Sequence, residues 1–170
     1  SPFNAFSLKK VHIWWRCFYR PQYVVDSGRV FRYRFQPSGT LQIISTDVEP
    51  MGSVLIIDDE QSILQVFDYA LSRCGFKVET AVDGREGLRK FLSGRFDLVV
   101  TDVLLQGMDG RDILKTIRCS ERRQTPVIGM SGTPWLLSDA GFDHVLEKPF
   151  SIHRLVESVH GLIKRGLPEA

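Results

Sequence analysis

Residues 53 to about 165 alternate between short apolar runs of strand length and segments whose apolar residues recur at helical spacing. This alternation occurs five times, with one short, poorly defined helical segment around residues 135–140. Because parallel strands need crossover connections, the pattern predicts an α/β fold: a doubly wound, five-stranded parallel sheet with helices on both faces. The predicted strands are 54–57, 76–81, 96–101, 126–130 and 145–147.

Polar residues stand directly after four of these apolar runs. Asp58 and Asp59 follow the first run, Asp102 the third, Ser131 the fourth and Lys148 the fifth. Open α/β sheets place their chemistry in a crevice at the carboxyl ends of the strands. We therefore expect these five side chains to share one crevice.

The chemistry of this set indicates a divalent-metal and phosphoryl site. Asp58, Asp59 and Asp102 would repel one another unless a cation is present, and Mg²⁺ prefers such oxygen ligands and pairs with phosphate. Asp102 stands alone before a loop with two glycines and is the better nucleophile, which leaves Asp58 and Asp59 as metal ligands. Lys148 would supply positive charge and Ser131 a hydroxyl donor to the phosphoryl oxygens.

Each of these residues also has an ordinary structural interpretation. A single Asp after a strand is commonly a helix cap or turn residue, and Ser-Gly and Lys-Pro pairs are common in loops. Their joint occurrence at strand ends favours the functional interpretation. A metal-dependent phosphatase also fits an aspartyl nucleophile, but the sequence offers no additional general acid beside Asp102.

The sequence resembles the receiver domain of two-component response regulators over residues 53–165. The matching motifs are VLIIDDE at 54–60, DLVVTD at 97–102, GMDG at 107–110, PVI at 126–128 with SG at 131–132, and KPF at 148–150. The resemblance implies the flavodoxin-like strand order and a signalling protein rather than an enzyme. It also implies a cytoplasmic protein. Because only six residues follow position 164, we expect a stand-alone receiver.

The resemblance also assigns roles and partners. Asp102 would accept a phosphoryl group from a sensor histidine kinase or a histidine phosphotransfer protein, and Ser131 and Lys148 would then engage the phosphoryl oxygens. Asp58, Asp59, Asp102 itself and the backbone carbonyl of Leu104 would hold Mg²⁺. A downstream protein target is a further expected partner, with a readout surface around the fourth helix, the fifth strand and the fifth helix.

Three features depart from the pattern of the family. Gln106 stands where proline is usual, so we expect a more mobile loop after Asp102. Val145 stands where the family has an aromatic residue that couples to the hydroxyl. The stretch between Ser131 and Lys148 is short, which predicts a truncated fourth helix. These departures leave the phosphorylation site intact and put the usual relay to the surface in question.

Residues 1–50 differ sharply in composition from residues 51–166. The first fifty hold seven Lys and Arg against three acids and ten of the 18 aromatic residues, whereas the remainder is slightly acidic. This break predicts two units: a basic, aromatic-rich extension of uncertain structure and a receiver domain. A three-stranded meander at 22–25, 29–35 and 40–45 is the pattern we expect within the extension.

Three origins remain open for residues 1–50. The segment is non-native or disordered sequence without an evolved role, an adapter for another protein, or a nucleic-acid-binding output segment that uses alternating arginines and aromatics. The last would make the chain a transcriptional regulator, and we expect nucleic acid not to be a partner. No apolar run is long enough for a membrane span, so we expect no membrane insertion.

Overall fold

The computed structural model describes residues 50–137 and 140–166, together with three strands at 23–26, 29–35 and 41–45. The three strands, labelled β1 (Tyr23–Asp26), β2 (Arg29–Phe35) and β3 (Leu41–Ser45), form an antiparallel meander in the order β1-β2-β3. The predicted meander is therefore confirmed within these bounds. Predictions about Gln22, Thr40 and the remainder of 1–49 lie outside the described residues.

A second sheet of five parallel strands forms the centre of residues 50–166. In the described residues of this α/β unit the segments between these strands hold two further short strands, three α-helices and one 3₁₀ helix, and a fourth α-helix follows the last strand. In chain order its elements are β4 (Ser53–Ile57), α1 (Gln61–Arg73), β5 (Lys77–Ala81), α2 (Gly84–Ser93), β6 (Leu98–Asp102), β7 (Leu104–Leu105), β8 (Met108–Asp109), α3 (Gly110–Cys119), β9 (Val127–Ser131), a 3₁₀ helix at Pro134–Leu137, β10 (His144–Glu147) and α4 (Ile152–Gly166).

The strand order of the parallel sheet is β5-β4-β6-β9-β10. This is the doubly wound order predicted from the sequence, in which the first strand lies between the second and the third. The chain crosses to one side of β4 to form β5 and to the other side to form β6. The crevice at the carboxyl ends of β4 and β6 is therefore the topological switch point, where such sheets bind ligands.

Apolar residues alternate between the two faces of this sheet, because successive side chains of a strand point in opposite directions. One face, which we call the α1–α4 face, packs strand residues such as Ile56 and Met130 against Phe67 of α1 and Leu155 of α4. The other, the α2–α3 face, packs Leu55, Ile57 and Val99 against Phe91 of α2 and the apolar stripe of α3. The three central strands β4, β6 and β9 are buried on both faces, which explains their apolar runs.

Aspartates are the N-cap residues of two of the helices. Asp83 accepts a hydrogen bond from the Glu86 N–H at 2.7 Å and caps α2. Asp109 accepts one from the Arg111 N–H at 2.8 Å and caps α3. Such caps satisfy backbone donors that the helix itself cannot.

The connection from β9 to β10 differs from the others. Its described residues contain only the four-residue 3₁₀ helix, so the predicted truncation of the fourth helix is confirmed over that stretch. The ring of Phe142 lies against Gly129 of β9, where an added Cβ would come within 3.1 Å of ring carbons. An aromatic side chain of this short connection thus covers part of the sheet.

Among the helices of the described residues, none has the length and apolarity to cross a membrane.

Candidate metal and phosphorylation site

The ends of β4 and β6 bring the three predicted carboxylates together. These strands pair in parallel with Ile57 opposite Thr101, so Asp58, Asp59 and Asp102 emerge at the same edge of the sheet. One carboxylate oxygen from each of the three lies within 4.8 Å of the other two. The sequence predicted this convergence, and the parallel register produces it.

Asp58 is the buried member of this acidic cluster. Its side chain is 1% exposed, its Oδ1 accepts the Glu60 N–H at 2.9 Å, and its Oδ2 is buried without a hydrogen-bond partner. Burial raises the pKa of this carboxyl, and the Glu60 N–H and the Lys148 ammonium offset the rise only in part. This oxygen accepts no hydrogen bond, and its one positive neighbour among the described residues is the Lys148 ammonium at 3.6 Å. With two further carboxylates close by, the site suits an added divalent cation.

Lys148 connects two of the carboxylates. Its Nζ lies 2.6 Å from Asp102 Oδ2 and 3.6 Å from Asp58 Oδ2. Burial acts to lower the pKa of this ammonium, but the hydrogen bond and charge of Asp102, with the charge of Asp58, outweigh burial and raise it. Lys148 is therefore a fixed positive charge at this edge of the sheet.

Ser131 is placed beside Lys148 by the pairing of β9 with β10. It is the last residue of β9 and is buried, and its carbonyl accepts the Lys148 backbone N–H at 2.8 Å. Its Oγ accepts the Thr133 N–H at 3.0 Å and lies 3.3 Å from Thr133 Oγ1. The sequence analysis did not single out Thr133; a hydroxyl two residues beyond Ser131 was the available signal, because Ser and Thr commonly form such local turns.

The loop after Asp102 forms a small hairpin from β7 and β8. The Leu104 N–H donates to Asp102 Oδ1 at 3.1 Å, and the Gln106 N–H donates to Asp59 Oδ2 at 3.3 Å. Gly110 follows the hairpin directly. An added Cβ there would collide with the carbonyl oxygen of Asp102, so the backbones of Gly110 and Asp102 approach closely. The Leu104 carbonyl as a cation ligand and the mobility of this loop stay predictions.

Val145 lies opposite Gly129 in the β9–β10 pair and is half-buried. No ring occupies this position, as the sequence shows, and the nearby aromatic side chain is Phe142, which packs on Gly129. The aromatic covering of this part of the sheet therefore comes from the loop before β10 rather than from β10 itself.

The side chains at this site determine which chemistry it can support. Asp102 presents a carboxylate, two further carboxylates offer hard oxygen ligands, Lys148 supplies an ammonium next to Asp102, and Ser131 supplies a buried hydroxyl at the end of the neighbouring strand. Such a set suits a divalent cation and the transfer of a phosphoryl group to an aspartate.

Comparison with known proteins gives the same assignment. Residues 54–160 match the family model of the response regulator receiver domain. Over 117 residues the chain is 35% identical to the uncharacterized transcriptional regulatory protein YcbL of Bacillus subtilis (strain 168), covering 66% of this chain and 51% of that protein. The chain thus spans about half the length of the curated relatives it matches, which include a response regulator.

Solved structures agree with the fold. The chemotaxis response regulator CheY4 of Vibrio cholerae aligns with a TM-score of 0.61 and 32% identity, covering 66% of this chain and 98% of that one. The response regulator TrrA of Thermotoga maritima, solved in complex with Mg²⁺ and BeF, aligns with a TM-score of 0.60 and 30% identity, covering 65% of this chain and 97% of that one. With the strand order and the acidic cluster, these matches show that the chain belongs to the response regulator receiver domain family of two-component systems.

Proposed function

We propose that this receiver is a phosphoacceptor switch in which Asp102 takes a phosphoryl group from a phosphohistidine on a sensor kinase or a histidine phosphotransfer protein. The observation that carries the proposal is the surroundings of Asp102. Its carboxylate is half-buried, hydrogen-bonded to Lys148, and grouped with Asp59 and the buried carboxylate of Asp58. Receiver domains interact with histidine kinases, so the donor follows from the family.

The proposed reaction is a single displacement at phosphorus. A carboxylate oxygen of Asp102 forms the new O–P bond while the N–P bond of the phosphohistidine breaks, and the imidazole leaves with the electron pair. Asp58, Asp59 and Asp102, with the Leu104 carbonyl, would hold Mg²⁺, which when bound neutralises charge on the carboxylates and phosphoryl oxygens. The buried Oδ2 of Asp58, which accepts no hydrogen bond, supports this ligand set.

Lys148 and Ser131 would stabilise the product. The ammonium now within 2.6 Å of Asp102 Oδ2 would move to a phosphoryl oxygen, and the Ser131 hydroxyl would donate to another. Phosphorylation adds about 1.5 to 2 negative charges at one point, so both groups interact more strongly with the phosphorylated state. That difference biases the equilibrium between conformations and changes binding to a downstream protein or passes the phosphoryl group on.

The direct test is phosphorylation of the full chain with acetyl phosphate and Mg²⁺, followed by intact-mass measurement. We expect the mass of one phosphoryl group, lost at alkaline pH, with no gain when Mg²⁺ is chelated. Asp102→Asn should abolish the gain, whereas the matched control Asp112→Asn, at an exposed carboxylate on α3, should retain it. No gain in the wild-type chain, or a gain unaffected by Asp102→Asn, would refute the proposal.

A second candidate is a transcriptional regulator that uses residues 1–50 to bind nucleic acid. The Bacillus relative is named as a transcriptional regulatory protein, which favours this candidate. That name is at odds with our expectation that nucleic acid is not a partner. Binding of full-length chain and of residues 51–170 to DNA at two salt concentrations separates the two functions, since phosphate contacts weaken steeply with salt. Salt-sensitive binding by the full chain alone would support this candidate, and equal, negligible binding would remove it. The cytoplasmic location stays a prediction.

A further inference from the structure

The β7–β8 hairpin carries a backbone donor that points at the acidic cluster. Its strands pair Leu104 with Asp109 and Leu105 with Met108, which leaves Gln106 and Gly107 as a two-residue loop. Gly107 has φ +76°, the conformation that a type II turn requires at its third position. Gln106 occupies the second position of this turn, which is a common position for proline in type II turns.

The Gln106 N–H joins this loop to the opposite strand end. It donates to Asp59 Oδ2 at 3.3 Å and so bridges residues that are 47 positions apart in sequence. The other two carboxylates have different supports: Asp58 is buried and accepts the Glu60 N–H, and Asp102 is paired with Lys148. Asp59 is exposed, so water is available to its carboxylate on the outer side.

Electrostatics acts against the observed position of Asp59. Three carboxylates with oxygens within 4.8 Å of one another repel, and the exposed member lowers that repulsion most easily by rotating into solvent. A hydrogen bond from a backbone N–H to a carboxylate opposes this rotation. Hydrogen bonds to ligating carboxylates commonly orient them and raise metal affinity.

We propose that the backbone N–H of Gln106 is a positioning group of the cation site, which holds Asp59 at the cluster before the cation arrives. This inference rests on the proposed function, because it concerns the affinity of the same site for Mg²⁺. The contribution comes from the main chain and not from the glutamine side chain. It is a trait of this chain, because a proline at position 106 has no N–H to donate.

The two variants Gln106→Pro and Gln106→Ala separate the N–H from the side chain. Both remove the glutamine side chain, but only Gln106→Pro removes the donor, and proline is common at the second position of type I and type II turns. The full chain of each is titrated with MgCl₂ while backbone amide resonances are followed by NMR, which reports folding and the dissociation constant together. We expect Gln106→Ala to bind Mg²⁺ within about twofold of wild type, and Gln106→Pro to bind about tenfold more weakly, the low end for a lost ligand-orienting contact.

Equal dissociation constants for the two variants, or tighter binding by Gln106→Pro, would overturn the inference and leave the proposed function standing. Absence of saturable Mg²⁺ binding by wild type would instead overturn the proposed function, and this inference with it.

A second measurement does not depend on the proline variant folding. Hydrogen exchange of the Gln106 amide is compared between wild type and Asp59→Ala in the absence of Mg²⁺. Faster exchange of this amide in Asp59→Ala supports the proposal, because its acceptor is gone. Unchanged exchange would contradict it.

Discussion

The two faces of the central sheet are covered to different extents. The α1–α4 face draws apolar side chains from all five parallel strands, including Leu146 of β10, and packs them against two full helices. The α2–α3 face has no described residue of β10 in its core. There the half-buried Phe142 lies on Gly129. The 3₁₀ helix of the same connection lies beside β10.

This difference separates the chemistry of the site from its surroundings. Ser131 and Lys148 belong to the less covered end of the sheet, yet their backbones are hydrogen-bonded at 2.8 Å and Lys148 reaches Asp102. The site depends on the pairing and carboxyl ends of the strands, which the short β9–β10 connection preserves. The surface on the α2–α3 face depends on that connection and differs from the pattern of the family.

The largest expected effect compares a buried leucine of the α1–α4 face with a buried leucine of the short β9–β10 connection. Leu155 lies in α4 and is fully buried, and Leu137 ends the 3₁₀ helix and is 3% exposed. Leu155→Ala should lower the free energy of unfolding by about 3 kcal/mol, because a helix packed on a complete face cannot collapse into the cavity. Leu137→Ala should lower it by about 1 to 2 kcal/mol, because a short 3₁₀ segment relaxes more readily. Urea unfolding of both variants measures the difference, and equal losses would show that the short connection is as rigid as the α1–α4 face.

The next effect concerns the hydrogen bonds from Arg122 to the end of α2, in the better covered part of the α2–α3 face. The guanidinium of Arg122 donates to the carbonyls of Phe91 and Gly94, and to that of Leu92 at 3.0 Å, and lies over the Phe91 ring. Arg122→Ala leaves these carbonyls at the end of α2 without their donor and should lower the free energy of unfolding by about 2 kcal/mol.

The neighbouring Arg123→Ala is the matched control, since Arg123 is exposed. It should change the free energy of unfolding by less than about 0.5 kcal/mol. Similar losses for Arg122→Ala and Arg123→Ala in thermal or urea unfolding would contradict the role of the Arg122 contacts.

A smaller effect tests the aromatic covering of the other end of this face. In Gly129→Ala the new Cβ would lie within 3.1 Å of the Phe142 ring, so the ring must shift. Because Phe142 is only half-buried, we expect a loss of about 1 kcal/mol. The same substitution in a Phe142→Leu background should lose less, as contacting residues couple. Additive losses in this double-mutant cycle would exclude the contact.

The smallest effect is a pH dependence at the start of α2. Hydrogen bonds from Lys90 and the Val82 N–H lower the pKa of Glu86 below its ordinary value of 4.5. A lowered pKa stabilises the fold above about pH 4.5, and the stabilisation is lost as pH falls through the lower folded value. Glu86→Gln should therefore be less stable than wild type by about 0.5 kcal/mol near pH 7, and the two should converge at acidic pH. A difference that is constant with pH would contradict this assignment.

The strands and their ends were predictable because they depend on local pattern. Apolar runs placed the strands within about two residues of the observed bounds, and the polar residues at their ends indicated the shared crevice. In the structure Asp102 and Ser131 are the last residues of their strands rather than the residues after them. The difference is small because a strand ends where its backbone pairing ends, and this is set by the neighbouring strand.

The remaining contacts depend on residues distant in sequence. The bond from the Gln106 N–H to Asp59, the packing of Phe142 on Gly129 and the tie from Arg122 to α2 leave no periodic signal. Each depends on tertiary positions that become defined only after the sheet and helices have packed. The resemblance could indicate that positions 106 and 145 differ from the family, but not what the structure forms in their place.

The central claim is that Asp102, held between the acidic cluster and Lys148, accepts the phosphoryl group. A crystal structure of the full chain grown with Mg²⁺ and beryllofluoride, which mimics a phosphoryl group on a carboxylate, tests it most directly. We predict beryllofluoride attached to Asp102, with Lys148 Nζ and Ser131 Oγ within hydrogen-bond distance of its fluorides and Mg²⁺ bound by the acidic cluster. Beryllofluoride on another residue, or an Asp102 that remains unmodified and paired with Lys148 at saturating concentrations, would contradict the account.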